Sequence, residues 1–256
     1  MIRMPVSAPS TANSDDLNAG VTGADAVPHG ASTRRIGPVE IPTTLYSLGE
    51  EIAHAATHGF GALLAIVGLV VLVVRAALYG TTWHVVACSV FGATLVLMYI
   101  ASTLYHSIPL PRAKQVLRII DHSSIYFLIA GTYTPFTLIT LHGPWGWSLF
   151  GVTWGLALLG VAFKVFATGR YEKLSLFVYL AMGWCIVVAI KPLLANLATG
   201  GLILTVAGGL AYSGGVAFYA WQRLRYHHAI WHLFVLAGSV LQYFAVFFYV
   251  VPGPNG

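Results

Sequence analysis

The sequence predicts an all-α fold, a seven-transmembrane helix bundle with its N-terminus in the cytoplasm and its C-terminus outside. Three observations carry that expectation. Only 8% of the 256 residues are charged and 57% are hydrophobic, against roughly 25% charged in a soluble domain, so ions cannot cover this surface. Seven apolar stretches approach or exceed the ~20 residues that a helix needs to cross hydrocarbon. The basic residues gather in alternate connections between them. A transmembrane barrel is disfavoured, because its strands alternate over only ~10 residues. No inverted pair of halves is visible, which weakens a secondary-transporter reading.

Residues 1–45 are rich in Ser, Thr, Asp, Gly, Pro and Ala without helical period, and predict a disordered cytoplasmic tail. After Met1-Ile2-Arg3 the chain turns at once to Pro5, Ser7 and Pro9. The apolar core of roughly 7–15 residues that a signal peptide requires is not there. A membrane domain over 46–256 follows, with spans at about 53–77, 83–105, 121–141, 145–167, 174–194, 201–221 and 228–251. Charge, Pro or Gly separates each from the next.

The connection from the second to the third span carries Arg112, Lys114 and Arg118. The fourth connection carries Lys164, Arg170 and Lys173, and the sixth Arg223 and Arg225. With Arg3, Arg34 and Arg35 of the tail, 11 basic residues fall on one side, against Arg75 and Lys191 on the other. The positive-inside rule makes the richer side cytoplasmic, opposite to G-protein-coupled receptors. The net charge of +5 therefore reads as topology and not as a nucleic-acid footprint. Cys88 and Cys185 lie inside apolar runs, which argues against a disulfide framework.

The polar residues inside the spans carry the functional signal. His228 and His232 open the last span four residues apart, so their rings share a helix face, a common way to supply half of a metal's ligand set. Ser102 and His106 share a face at the same spacing where the second span ends, before Pro109. Asp121 begins the third span, and a buried unpaired carboxylate there is costly. It must be solvated, ion-paired, a helix cap or bound to metal. Alternating topology brings His106, Asp121, His228 and His232 to the cytoplasmic side. Three histidines beside a carboxylate suit tetrahedral Zn²⁺ with one position left for water.

Glu50-Glu51-Ile52-Ala53-His54-Ala55-Ala56-Thr57-His58-Gly59, Ser102-Thr103-Leu104-Tyr105-His106, Asp121-His122-Ser123-Ser124 and His228-Ala229-Ile230-Trp231-His232 resemble the motifs of the hemolysin III family. This is the bacterial branch of the progestin and adiponectin receptor superfamily, distantly similar to alkaline ceramidases. The resemblance covers about residues 46–251. It implies a multi-pass protein of the bacterial inner (plasma) membrane, with zinc held by His106, His228 and His232. It also implies that Asp121 orients or binds the zinc water and that Ser102 lines the site. Position 54 departs from the pattern: it is His here, where the family usually shows Asn.

Other polar groups admit several readings. Glu51, His54 and His58 share one face at the start of the first span. They would form a separate metal site, tie that helix to the bundle by hydrogen bonds, or orient the metal-ligating rings or contact substrate. His122 and His227 lie about 100° around their helices from Asp121 and His228, at helix interfaces. The Thr132–Pro135 stretch predicts a kink. Gly68, Gly92, Gly151, Gly155, Gly160, Gly208 and Gly209 read as close helix contacts. Gln242 and Tyr243 either line an internal cavity or pack helices together.

Three functions follow as expectations. The first is a zinc-dependent hydrolase of a membrane lipid amide or ester, with Asp121 taking a proton from the attacking water and Ser102 supporting the oxyanion. The second is a cytolytic or pore-forming hemolysin, against which seven spans argue. The third is a receptor-like regulator of membrane state with structural zinc. In each, the partner is a membrane lipid.

Overall fold

The structure, a computed structural model, describes residues 46–168 and 171–253. The predicted tail and Arg170 lie outside the described residues. Everything regular among those residues is helical, and seven helical segments are long and apolar enough to cross a membrane. The first four spans are α1 (Leu48–Tyr79), α2 (Thr82–Ser107), α3 (Pro111–Pro135, continued by a π-helical turn at Phe136–Leu141) and α4 (Gly143–Ala167). The fifth joins α5 (Glu172–Gly183), a 3₁₀ turn (Cys185–Ala189) and α6 (Ile190–Asn196). The last two are α7 (Thr199–Ala220) and α8 (His227–Tyr249).

Local chemistry accounts for the helix limits. Ser47 and Glu50 form a reciprocal capping box, with the Ser47 N–H donating to Glu50 Oε2 at 2.9 Å. This starts α1 at Leu48, ahead of the expected span. On α1 the residues Leu63, Val67, Val70, Val74 and Leu78 are exposed, while Glu51, His54, His58, Ala62, Ala65, Leu72 and Ala76 are buried. An apolar outside with polar groups inside at one end is what a bilayer solvent requires.

Pro111 occupies the first turn of α3, where its missing N–H is harmless and its fixed φ favours a helix. The helix therefore begins well before the expected span. Arg112, Lys114 and Arg118, expected in a connection, lie on α3 instead. Asp121 lies in the interior of α3, and the helix-cap reading of it falls.

The stretch before Pro135 passes into a π-helical turn, where proline has removed one ladder donor. The Thr137 hydroxyl donates to Tyr133 O at 3.0 Å and Thr134 O at 3.1 Å, and so serves carbonyls there. The broken fifth span is served likewise. The Tyr133 hydroxyl donates to Gly183 O at 2.7 Å and accepts from the Ile186 N–H at 2.9 Å.

Among the expected close contacts, a Cβ at Gly92 would overlap Leu69 and one at Gly160 would overlap Tyr126. Gly151 and Gly155 instead face open space. Tyr226 begins the last span in the left-handed region at φ 58°. Its N–H donates to Glu50 Oε1 at 3.3 Å, which ties the start of α8 to the start of α1.

Candidate metal centre

Three helix ends meet at one end of the bundle. The first turns of α1 bring in Glu51, His54 and His58, the last turn of α2 brings His106, and the first turns of α8 bring His228 and His232. All six side chains are buried. Two groups offer ligand atoms within 4.8 Å of one another: His106 with His228 and His232, and Glu51 with His54 and His106. The expected three-histidine set is thus brought together. Asp121 belongs to neither group.

Hydrogen bonding sets which nitrogen of each ring is available. His106 Nδ1 lies 2.6 Å from Glu51 Oε2, and a carboxylate only accepts, so Nδ1 carries the proton. Nε2 of His106 keeps its lone pair and is buried without a partner. His232 Nδ1 lies 3.3 Å from the His54 carbonyl and 3.2 Å from Thr57 Oγ1. The Thr57 hydroxyl gives its own proton to Ala53 O or His54 O, so the His232 ring donates from Nδ1 and offers Nε2. His228 Nδ1 faces the Tyr46 hydroxyl at 3.3 Å. Either group can be the donor there, and the Nδ1-protonated form leaves Nε2 of His228 for a ligand. Three imidazoles brought together in this way, two of them with Nδ1 donating and Nε2 available, fit a divalent cation.

Glu51 is held from its other side, with Lys114 Nζ at 2.8 Å from Oε1. Tyr46 packs its ring against His54, His106 and His228, with centroids at 4.7, 6.4 and 5.2 Å. Burial pushes its phenol pKa up, so the hydroxyl stays protonated at neutral pH. His58 stacks on His232 at 3.5 Å and 10°, and both its ring nitrogens are buried without partners.

A cavity of about 330 Å³ begins at these rings and runs into the bundle. Ser102, Asp121, His228 and His232 line it at this end, and Leu128, Tyr133 and Leu180 are among the apolar groups beyond. Ser102 interacts through its side chain with the Asp121 carboxyl. Gln242 lines the same cavity and donates from Nε2 to Thr205 O at 2.9 Å. The Tyr243 hydroxyl donates to Gly68 O at 3.1 Å, a packing contact. His122 also reaches the cavity, and its Nδ1 lies 3.8 Å from Glu172 Oε1.

Sequence reasoning missed Tyr46, Thr57 and Lys114. A signal existed for the first two: the Ser47/Glu50 capping box starts α1 directly after Tyr46 and Ser47, and Thr57 lies three residues after His54. Nothing in the sequence pointed to Lys114.

A sequence model of the family described as "Haemolysin-III related" matches residues 46–243, which takes in every residue of this centre. The chain belongs to that family. It is 52% identical to Hemolysin-3 of Bacillus cereus over 203 residues, 79% of this chain and 93% of that protein. It is 50% identical to the Hemolysin-3 homolog of Bacillus subtilis (strain 168) over 210 residues, 82% and 99% of the two chains. A more distant relative is the human monocyte to macrophage differentiation factor, 29% identical over 212 residues, 80% of this chain and 87% of that one. It links the family to the progestin and adiponectin receptor superfamily. With seven spanning helices, this hemolysin III chain is a multi-pass protein of the bacterial inner membrane.

Proposed function

We propose that this hemolysin III chain binds zinc through His106, His228 and His232 and hydrolyses an amide or ester bond of a membrane lipid. The observation that carries the reading is the position of the three imidazoles. Ligand nitrogens of His106, His228 and His232 lie within 4.8 Å of one another, and the His228 and His232 rings line the same end of an apolar cavity as Asp121 and Ser102. A bound zinc ion would supply a water nucleophilic near neutral pH and would polarise a carbonyl. The chain's residues supply the rest. The cavity accepts an acyl chain and excludes bulk water from the polar end. Asp121 accepts a proton from the attacking water, and the Ser102 hydroxyl donates to the developing oxyanion. Glu51 holds His106, and Thr57 holds His232, in the tautomers that expose Nε2.

The centre belongs at the cytoplasmic side in this reading, with the N-terminus in the cytoplasm. The distribution of Lys and Arg supports that orientation. A reporter fused after Gly256 is expected to be active outside only.

Metal analysis of purified full-length protein, paired with assays on a broad panel of lipid amides and esters, tests the reading. About one zinc per chain and turnover that Asp121→Asn abolishes with zinc retained are expected. Stoichiometric zinc without cleavage of any panel member overturns the hydrolase.

A second reading keeps the metal and drops the chemistry: zinc staples helices and the protein regulates membrane state. Burial of all three ligands and their origin on α2 and α8 favour it. Under this reading Asp121→Asn changes nothing measurable while chelation unfolds the bundle. The names of the Bacillus relatives raise cytolysis as a third. Erythrocyte lysis that survives His228→Ala and His232→Ala would favour it over enzymatic membrane damage.

A further inference from the structure

His122 stands on the cavity wall beside Asp121, and the proposed chemistry leaves it unused. Its ring lines the cavity and its side chain keeps 14% exposure, so a molecule inside can touch it. Nδ1 is buried without a hydrogen-bond partner. A polar atom left in that state is costly, and the surroundings of the ring give it a use.

Two carboxylates flank the imidazole. Nε2 lies 4.0 Å from Asp121 Oδ2, and Nδ1 lies 3.8 Å from Glu172 Oε1. Glu172 is itself fixed, with Lys164 Nζ at 2.9 Å from Oε2 and Arg118 at 3.3 Å from Oε1. The Tyr179 hydroxyl donates to the His122 carbonyl at 2.7 Å and pins the backbone there. The charged and titratable groups around the ring are Arg118 and Asp121 on α3, Lys164 on α4, Glu172 on α5 and His106 on α2. Separations of 3.8 and 4.0 Å exceed a hydrogen bond, as is common for catalytic groups before substrate tightens them. An imidazole with one nitrogen on a carboxylate and the other on a reactive group is the arrangement of a histidine that moves protons.

We propose that His122 delivers the proton to the leaving group of the lipid, an inference that rests on the hydrolase reading above. Glu172 favours the tautomer with the proton on Nδ1, which leaves the Nε2 lone pair towards Asp121. Asp121 takes a proton as the attacking water forms its bond to the carbonyl carbon. That proton passes to His122 Nε2, and Glu172 stabilises the imidazolium that results. The leaving nitrogen or oxygen takes the same proton as its bond to the carbon breaks. Both side chains are then as they began, and the products are a carboxylic acid and an amine or alcohol. Attacking and leaving atoms share one tetrahedral carbon, so a donor 4.0 Å from the base reaches the second atom while the base attends to the first.

Asp121 acting alone, base first and acid afterwards, is the competing arrangement. Its carboxyl already engages the Ser102 side chain, whereas His122 offers the cavity a nitrogen that no other group in the proposed chemistry uses.

Paired kinetics of zinc-loaded, purified full-length protein test the donor. The substrates share one acyl chain: the alkyl amide or alkyl ester that the wild type cleaves, whose leaving atom needs a proton, and a p-nitrophenyl ester, whose phenolate leaves without one. In His122→Gln, kcat on the alkyl compound is expected to fall about 100-fold or more, and on the activated ester only a few-fold, with zinc retained. His122→Phe, which keeps a ring without a proton to give, should show the same split and decides alone if His122→Gln does not fold. Equal losses on both substrates, or no loss on the alkyl compound, overturn the donor and leave the hydrolase reading intact. A zinc-loaded wild type that cleaves no alkyl amide or ester overturns both. Apart from turnover, nitrogen NMR of histidine-labelled, metal-free protein should show the His122 Nε2 signal moving in Asp121→Asn. An unmoved signal overturns the transfer between the two side chains.

Discussion

Two of the candidate ligand imidazoles are held by side chains outside the three-histidine set, His106 by Glu51 and His232 by Thr57, and Glu51 is the stronger case. Its carboxylate holds the His106 ring at 2.6 Å and is held by Lys114 at 2.8 Å. Replacing Glu51 with Gln keeps the shape but removes the charge and lets the side chain donate as well as accept, so the His106 tautomer is no longer enforced. Zinc affinity is expected to fall about 10–100-fold, measured by competition against a chelating dye, with seven-helix content unchanged by circular dichroism. The i, i+4 spacing of His228 and His232 was legible because it is local. The partners of those rings were not: Tyr46 and Thr57 meet them from the far end of the chain.

At the scale of elements, polar contacts at the helix ends do what apolar packing does within the membrane. Lys164 on α4 is 1% exposed and meets Glu172 Oε2 on α5 at 2.9 Å. Arg118 on α3 reaches Glu172 Oε1 at 3.3 Å, so one carboxylate joins three helices. Breaking a buried ion pair from one side costs about 3–5 kcal/mol. Lys164→Ala is expected near the low end, about 3 kcal/mol, because Arg118 remains as a partner. Thermal unfolding in detergent should show the loss, and Lys164→Met, which keeps the aliphatic stem, a smaller one. The sequence placed Lys164 in a connection for its charge alone. Its long stem lets the amine sit on the last turn of α4 and still reach Glu172.

Considered whole, the bundle ties the two ends of its membrane domain together at the candidate metal centre, α1 and α2 meeting α8 there. A cation bound only by the folded protein stabilises it by about 4 kcal/mol when free metal is 1,000-fold above its dissociation constant. Chelation is therefore expected to lower the unfolding temperature of the wild type. It should leave a variant with His106, His228 and His232 all changed to Ala unmoved. Equal temperatures for wild type with and without chelator would count against any cation at this centre.

Taken by itself, the sequence determined the all-helical class, the seven spans and the candidate ligands His106, His228 and His232. The physical reason is that a bilayer forces backbone hydrogen bonds to close within each segment, which makes spans a matter of local composition. The break after Gly183 was not legible, because the freed backbone groups there are served by the Tyr133 hydroxyl from a distant part of the chain. Only the tertiary structure decided which ring nitrogens are buried without partners, where the cavity begins and that His106 meets His228 and His232. Those properties arise from the rotation and register of α1, α2 and α8 against one another. Such relations are set by packing between residues far apart in the chain, and no local pattern encodes them.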